Sequence, residues 1–519
     1  MKNWGIFKCK TMKKLFIIIP VIFIFAYQST AQNLEYESAI RNSQHIYGGS
    51  ARFMGMGGAF TALGGDISSL SINPAGVGVY SGMQLVVTPS LQYNKTNTNM
   101  LGYEASESKY NLNFHNIGLI ASYDLKEETR WKKFNFGIGY NQMNDFHNSY
   151  NVNYFNKDNS LIHTYVDNAN SGNYREDYEE LAFQTYMLND FYTINNGQDT
   201  IYEWWSPLTD EMNFSDTSST ISELGVNQNK YITKKGTNGE FFISIGGNYA
   251  DKLYLGATFG IQRVNYQLTR THHESERNDN MLDFHTFDFI EYENHSGTGY
   301  NLKIGAIYKP TNYIRLGAAI HTPTFYNLEY TWHNQMSSQF DNGDAFSYES
   351  DSYTFNYNLI SPMRIETGVA WQIKNIGLIS ADYERVDYTM AQLESSGIMS
   401  EYGPQEIKSD NDSLSNTLGV SNNLRFGGEI KLDNFYLRGG YAIYQSPYNA
   451  QYENRKSNTV IYSGGLGYRE GNFFLDATYM RSVYTLEKYH YSSVYGIFDE
   501  TSEIQRNRNK VIVTIGLRF

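Results

Sequence analysis

Asn509-Lys510-Val511-Ile512-Val513-Thr514-Ile515-Gly516-Leu517-Arg518-Phe519 closes the chain and decides its fold. Val511, Val513, Ile515, Leu517 and Phe519 share one face of a strand, whereas Ile512, Thr514, Gly516 and Arg518 share the other. This is the pattern of a strand with one side against lipid and one side turned to a lumen. A last strand of this kind must pair with the first, because an open edge would leave backbone groups unsatisfied in hydrocarbon. The expected fold is all-β, an antiparallel transmembrane β-barrel, with Phe519 as its membrane-insertion signal.

The N-terminus fits export. Lys10, Lys13 and Lys14 precede the apolar run Leu15 to Ala26, and Ser29-Thr30-Ala31 offers small residues for cleavage before Gln32. Residues 1–31 therefore read as a signal peptide, the apolar run being too short to span a bilayer with margin. Cys9 is the only cysteine and lies ahead of that run, so a chain starting at Gln32 has neither thiol nor disulfide. Composition agrees: 45 Tyr and 44 Gly against 9 Pro in 519 residues, with a mean hydropathy of −0.50, is too polar for a helical membrane protein. A barrel hides its lipid-facing residues among lumen and loop residues. The net charge of −13 argues against a nucleic-acid partner.

Alternation recurs in fourteen segments between Met83 and Phe519. Short links such as Ala250-Asp251, Pro310-Thr311, Lys374-Asn375, Asp433-Asn434 and Glu470-Gly471 alternate with long ones. The long links are Asn94 to Leu112, Asn144 to Asn238, Leu268 to His295, Pro323 to Ser361, Thr389 to Ser421, Ser446 to Ser457 and Thr485 to Asn507. Short periplasmic turns, long outer loops and an even strand number place both termini in the periplasm of an outer membrane. Tyr123, Tyr249, Tyr308, Tyr313, Trp371, Phe435, Tyr468, Phe473 and Phe519 cluster beside the short links, as an interfacial girdle requires. A large soluble β-sandwich would lack this segregation of loop lengths.

Residues 32–82 do not alternate. They carry Gly55-Met56-Gly57-Gly58-Ala59-Phe60-Thr61-Ala62-Leu63-Gly64-Gly65-Asp66 and then Ser71-Ile72-Asn73-Pro74-Ala75-Gly76, a small-residue run and a turn that suit a compact plug in the lumen. On Gly58-Ala59, Ala62, Asp66 and Asn73-Pro74-Ala75 the sequence resembles the FadL/TodX family of outer-membrane transporters for long-chain fatty acids and other hydrophobic compounds. The resemblance implies a monomeric fourteen-stranded barrel over residues 83–519, with an N-terminal hatch, apolar ligand sites in the lumen and diffusion without ATP. It also implies a kink in the third strand that opens the wall sideways to membrane lipid. Gly137 and Gly139 on that strand are the residues expected to permit it.

The insertion 144–238 is expected on the outer side, with an amphipathic helix from Glu176 to Asn189 that presents Tyr178, Leu181, Ala182 and Thr185 on one face. It reads equally as a lid with an apolar groove or as a helix packed on neighbouring loops. The cluster His272-His273-Glu274, with His285 nearby, has no spacing that fixes a metal geometry and reads as solvated loop. No Ser/His/Asp set and no phosphate loop stands out, so neither catalysis, metal nor cofactor is expected. Inward-facing charges include Arg315, Arg364, Glu366, Arg425, Glu429, Lys431, Arg438 and Asp476. Most should pair with each other or with the plug. Arg315, Arg364, Arg425 and Arg438 are also the candidates to meet a carboxylate headgroup. Two functions follow: passive uptake of a hydrophobic small molecule, or a structural barrel of an outer-membrane protein-secretion system. An apolar path past the plug favours the first.

Overall fold

The computed structural model describes residues 30–125, 129–157, 159–195, 198–206, 208, 225–276, 284–374, 376–396, 404–451, 456–489 and 501–519. Residues 1–29 of the expected signal peptide 1–31, and Asn375 in one expected short link, lie outside them.

Fourteen antiparallel strands close into one barrel. They are Gln84–Met100, Tyr103–Asp124, Trp131–Asp145, Val226–Tyr249, Leu253–Glu276, Phe284–Tyr308, Ile314–His321, Arg364–Ile373, Gly377–Asp387, Val420–Leu432, Phe435–Tyr444, Thr459–Glu470, Phe473–Tyr489 and Thr501–Arg518. Each pairs with its neighbour along the chain, and the last pairs with the first, Leu85 opposite Leu517 and Asn97 opposite Gln505. The alternation of the last strand is realised in space. Val511, Ile515, Leu517 and Phe519 are exposed on the outside, whereas Ile512, Thr514 and Gly516 are buried inside. The same holds around the wall, where outward Phe136, Ile245, Ile304, Leu316 and Val369 form an apolar belt that only lipid can satisfy.

Tight turns define one end. Ala250 and Asp251, with φ of 56° and 55°, form a two-residue turn whose twist matches the flanking strands. Beside these turns Tyr123, Tyr308, Tyr313, Trp371, Phe435, Phe473 and Phe519 point outward. Tyr249 and Tyr468 lie half-buried against Trp131 and Phe435, with ring centroids 5.3 and 5.1 Å apart.

At the opposite end several expected loops are strand. The first hairpin runs on to a turn at Leu101-Gly102, the fourth strand starts at Val226, and the fifth and sixth reach Glu276 and Phe284. Beyond the belt neither face meets lipid, so the ladder continues without a lipid-facing apolar stripe to announce it, and its buried face carries residues such as Phe287 and Phe289. Pro323 and Pro362 interrupt the seventh and eighth strands, which resume as Phe325–Phe340 and Tyr353–Ile360 paired to each other.

Within 144–238 the expected helix is shorter than its sequence pattern. It spans Glu179–Gln184 and stops at Tyr186, whose φ is 59°. A helix Leu161–Asn170, not anticipated, precedes it with a Ser160 capping box. Leu181, Ala182 and Thr185 are fully buried, packing with Ile162, Phe284, Phe287 and Met336. The insertion thus sits on the extensions of the wall strands at the end opposite the tight turns. His272 and Glu274, expected as solvated loop, are instead buried strand residues. Glu274 accepts bonds from Ser160 Oγ at 2.5 Å and Leu161 N–H at 2.9 Å, anchoring the start of that helix.

Candidate functional site

The N-terminal segment fills the lumen in layers. The helix Thr30–Ser43 lies in the long-loop half, where Ala39 and Ile40 pack among Tyr266, Tyr326, Leu328, Tyr330, Tyr357 and Leu359. Arg41 lies over the Tyr266 ring at 3.7 Å. The chain then descends along the third strand, Ile46 and Gly48 N–H donating to Met143 O and Gln142 O at 3.1 and 2.8 Å. Below, residues 50–80 form the plug in the short-turn half. They contain one short helix, Ala51–Gly55, and two 3₁₀ turns, Ile67–Ser71 and Pro74–Val79.

Irregular backbone at membrane depth survives only where protein satisfies its polar groups. The wall supplies them from many sides. Thr478 Oγ1 donates to Ala51 O at 2.6 Å, Ser380 Oγ to Ala59 O at 2.8 Å and Arg315 Nη1 to Leu63 O at 2.7 Å. Thr61 N–H donates to Asp382 Oδ2 at 2.7 Å, and Asn135 Nδ2 to Val77 O at 2.6 Å. The wall also supplies space. Inward glycines face the plug on the fifth, sixth, seventh, tenth and eleventh strands. A Cβ on Gly256 would strike Pro74, on Gly305 Asn73, on Gly317 Thr61, and on Gly427 or Gly440 Met56. The plug is keyed into the wall.

The motif residues have defined work in this seat. Asn73 caps the second 3₁₀ turn by accepting from Ala75 N–H at 3.0 Å, and its amide donates to Thr61 O at 2.7 Å and Ala306 O at 3.1 Å. Pro74 then starts that turn at a position that needs no N–H. Asp66 caps the first turn, accepting from Ser68 N–H at 3.0 Å and Ser50 Oγ at 2.7 Å. Gly58, with φ of 75°, lies beside the Phe53 ring, and Ala62 is buried next to Gly317.

Three of the four candidate headgroup arginines are matched with carboxylates. Arg425 bridges Glu366 and Glu384, the latter at 2.8 Å. Arg364 meets Glu384 at 2.6 Å and also holds Ser43 O. Arg438 binds Glu429 and Asp476 at 2.7 and 2.6 Å, with plug residue Arg52 sharing Glu429 at 2.9 Å. Arg315 holds the plug carbonyl already described.

Cationic excess lies elsewhere. Arg506, Arg508 and Lys510 face inward on the last strand, around a cavity of about 20 Å³ completed by Ile46, Tyr47, Met54, Asp145, Met480 and Ser482. Asp145 is its one carboxylate, 3.6 Å from Lys510. The Arg508 guanidinium otherwise meets neutral acceptors, Asn94 Oδ1 at 3.1 Å and the Asp145 and His147 carbonyls at 3.2 Å. This set is not among the inward charges expected from sequence, although the alternation that turns Ile512 and Thr514 inward extends to Lys510, Arg508 and Arg506.

The same corner is where the wall parts. The second and third strands pair from Asp124–Lys133 to Asn116–Asn141 and no further. The third strand bulges between Gln142 and Asn144 and leaves its neighbour, and its continuation Asn148–Asn156 crosses inside the first hairpin. Asn94 Nδ2 donates to His147 O and Thr96 Oγ1 to Asn148 Oδ1, each at 2.9 Å. Gly137 and Gly139, expected to open the wall, sit in an unbroken ladder opposite Ser244 and Phe242. Their missing side chains make room for Leu70 of the plug and for Phe242.

These features define a plugged fourteen-stranded transmembrane β-barrel. The chain is similar over 92% of its length to a FadL homologue of Pseudomonas aeruginosa, covering 99% of that chain at 13% identity and a TM-score of 0.55; it shares the FadL fold. It also aligns with the toluene transporters TodX of Pseudomonas putida (13% identity, 92% and 100% of the two chains, TM-score 0.48) and TbuX of Ralstonia pickettii (13%, 91% and 98%, 0.46). No family model and no curated protein matches the sequence.

Proposed function

We propose that this chain is a monomeric outer-membrane protein for passive uptake of hydrophobic small molecules, with residues 32–82 as its hatch and both termini in the periplasm. The observation that carries the reading is the corner where plug, basic cluster and wall seam meet. An amphiphile with an anionic headgroup and an apolar tail finds there Arg506, Arg508 and Lys510 for the charge, and Ile46, Tyr47, Met54 and Met480 for the tail. A cavity of about 20 Å³ holds one water, so the ligand must displace the plug segment that lines it. The seam above Asn116 and Asn141 then offers a sideways exit to lipid, with the notch at Gly137 and Gly139 uncovered as Leu70 leaves. Sideways release suits an apolar solute, since each buried methylene favours lipid over water by about 0.8 kcal/mol.

A second reading is the structural barrel of a secretion system, favoured by the ion-paired middle of the lumen, where Arg364, Arg425, Glu366 and Glu384 stand in place of an apolar path. Equilibrium binding of a long-chain fatty acid and of its methyl ester to the purified protein distinguishes the two. Uptake predicts that the acid binds and that Arg508→Gln/Lys510→Gln weakens the acid more than tenfold while sparing the ester. Failure of either ligand to bind the wild type favours the structural barrel.

A further inference from the structure

At the rim opposite the tight turns, Glu276 at the end of the fifth strand, His285 at the start of the sixth and Asp341 after the seventh converge. We propose that these three residues form a binding site for a first-row divalent transition cation such as Zn²⁺, which would tie the rims of three neighbouring strands together.

The geometry has a sequence origin. The fifth and sixth strands pair up to Ser275 opposite Thr286, so Glu276 and His285 are the next residues on each side of that ladder. The seventh strand slips register between Gln339, opposite Thr286, and Phe340, opposite Phe284. The slip leaves His285 facing no residue of that strand and brings Asp341 beside it. His285 Nδ1 lies 3.0 Å from Glu276 Oε1 and 3.6 Å from Asp341 Oδ1, and one donor atom from each residue lies within 4.8 Å of the others. Ligands bound at about 2.0–2.2 Å from a Zn²⁺ ion stand roughly 3.0–3.6 Å apart when adjacent. Two carboxylates and a neutral imidazole carry two negative charges, which a divalent ion offsets. The imidazole selects a transition cation over Ca²⁺ or Mg²⁺, which prefer all-oxygen sets. Glu276 is 4% exposed in its side chain and fixes the base, whereas His285, at 48%, leaves a side open for water ligands.

In sequence, His285 lies near His272, His273 and Glu274. The fold separates them: His272 bonds Glu274 at 2.7 Å and His273 bonds Asp288 at 2.8 Å. His273 with Asp288 is therefore an internal control, a histidine and carboxylate at similar separation that form no three-donor group among the described residues.

The test is titration of Zn²⁺ into tag-free, detergent-solubilised full chain at pH 7.5 by calorimetry, with X-ray absorption at the zinc edge on the one-to-one complex. The expected result is one ion per chain with an oxygen-rich shell containing one imidazole. His285→Gln and Asp341→Asn should each weaken binding at least tenfold, and His273→Gln should leave it unchanged. Both substituted residues are at the rim, and a shift in gel mobility on boiling confirms that each variant remains a folded barrel. Absence of stoichiometric binding by the wild type overturns the proposal. So does wild-type affinity in both variants, which would reduce the trio to an ion-pair clasp.

Discussion

Replacing Gly317 with alanine should loosen the plug while leaving the barrel closed. The added Cβ would lie 2.6 Å from the Thr61 carbonyl carbon and 2.7 Å from the Ala62 Cα, with the Thr61 oxygen nearer still. All three are backbone or Cα atoms, so no side chain can rotate aside. The wall cannot retreat either, because Gly317 is held between Ile307 and Gly368 in continuous ladders. The plug must therefore move, straining the Thr61 N–H bond to Asp382 and the Asn73 bond to Thr61 O, each 2.7 Å. Overpacking of this kind costs about 1–3 kcal/mol. At about 1.4 kcal/mol per tenfold, the displaced plug should become roughly five to over a hundred times more populated. Hydrogen exchange of the amides at 55–64, read by mass spectrometry, measures that population. Gly439→Ala is the control, since a Cβ there meets nothing within 4 Å. Unchanged protection of 55–64 in a folded Gly317→Ala barrel would refute the idea that glycines key the plug into the wall.

Arg425→Met should destabilise the folded barrel by about 3–5 kcal/mol in denaturant titration, because Glu366 and Glu384 lose a buried partner. Adding Glu366→Gln should recover part of the loss. Deleting Phe519 should lower the yield of folded barrel, because its backbone closes the cylinder through N–H to Met83 O at 2.9 Å and O to Met83 N–H at 3.1 Å; normal yield would count against its role in assembly. The hydrogen bond from His273 to Asp288 raises the imidazole pKa above its ordinary 6.5. Its contribution to holding the rim is complete below about 6.5, the unfolded value, and is lost as pH rises through the folded one. His273→Gln should flatten that part of the stability profile, and an unaltered profile would exclude the linkage.

The wall was legible in the sequence because lipid imposes it. Every residue from Val511 to Leu517 must choose between hydrocarbon and lumen, and the choice appears as a period of two. Outside the belt that constraint ends, and so the ladders of Val226–Asn238 and Leu268–Glu276 read as loop although they are strand. The insertion helix was legible by its buried face, Leu181, Ala182 and Thr185, but not by its end, which is set by a left-handed Tyr186 rather than a glycine. The plug motif was readable as a motif, while its seat was not. The wall glycines that receive it, such as Gly256, Gly305 and Gly440, are scattered over the sequence and meet only when the barrel closes. The same closure brings Asp145 of the third strand to Lys510 of the last, which no local pattern reveals.

Uptake across an intact outer membrane separates a conducting barrel from a purely structural one. Cells lacking the gene, and the same cells supplied with the wild type or with Arg508→Gln/Lys510→Gln, would be given a radiolabelled long-chain fatty acid. The wild type should restore saturable uptake independent of an energy source, and the double variant, present at equal levels of folded barrel, should restore at most a tenth of it. Uptake in the deletion cells equal to that of the wild type, or equal restoration by the variant, would contradict the proposed uptake route.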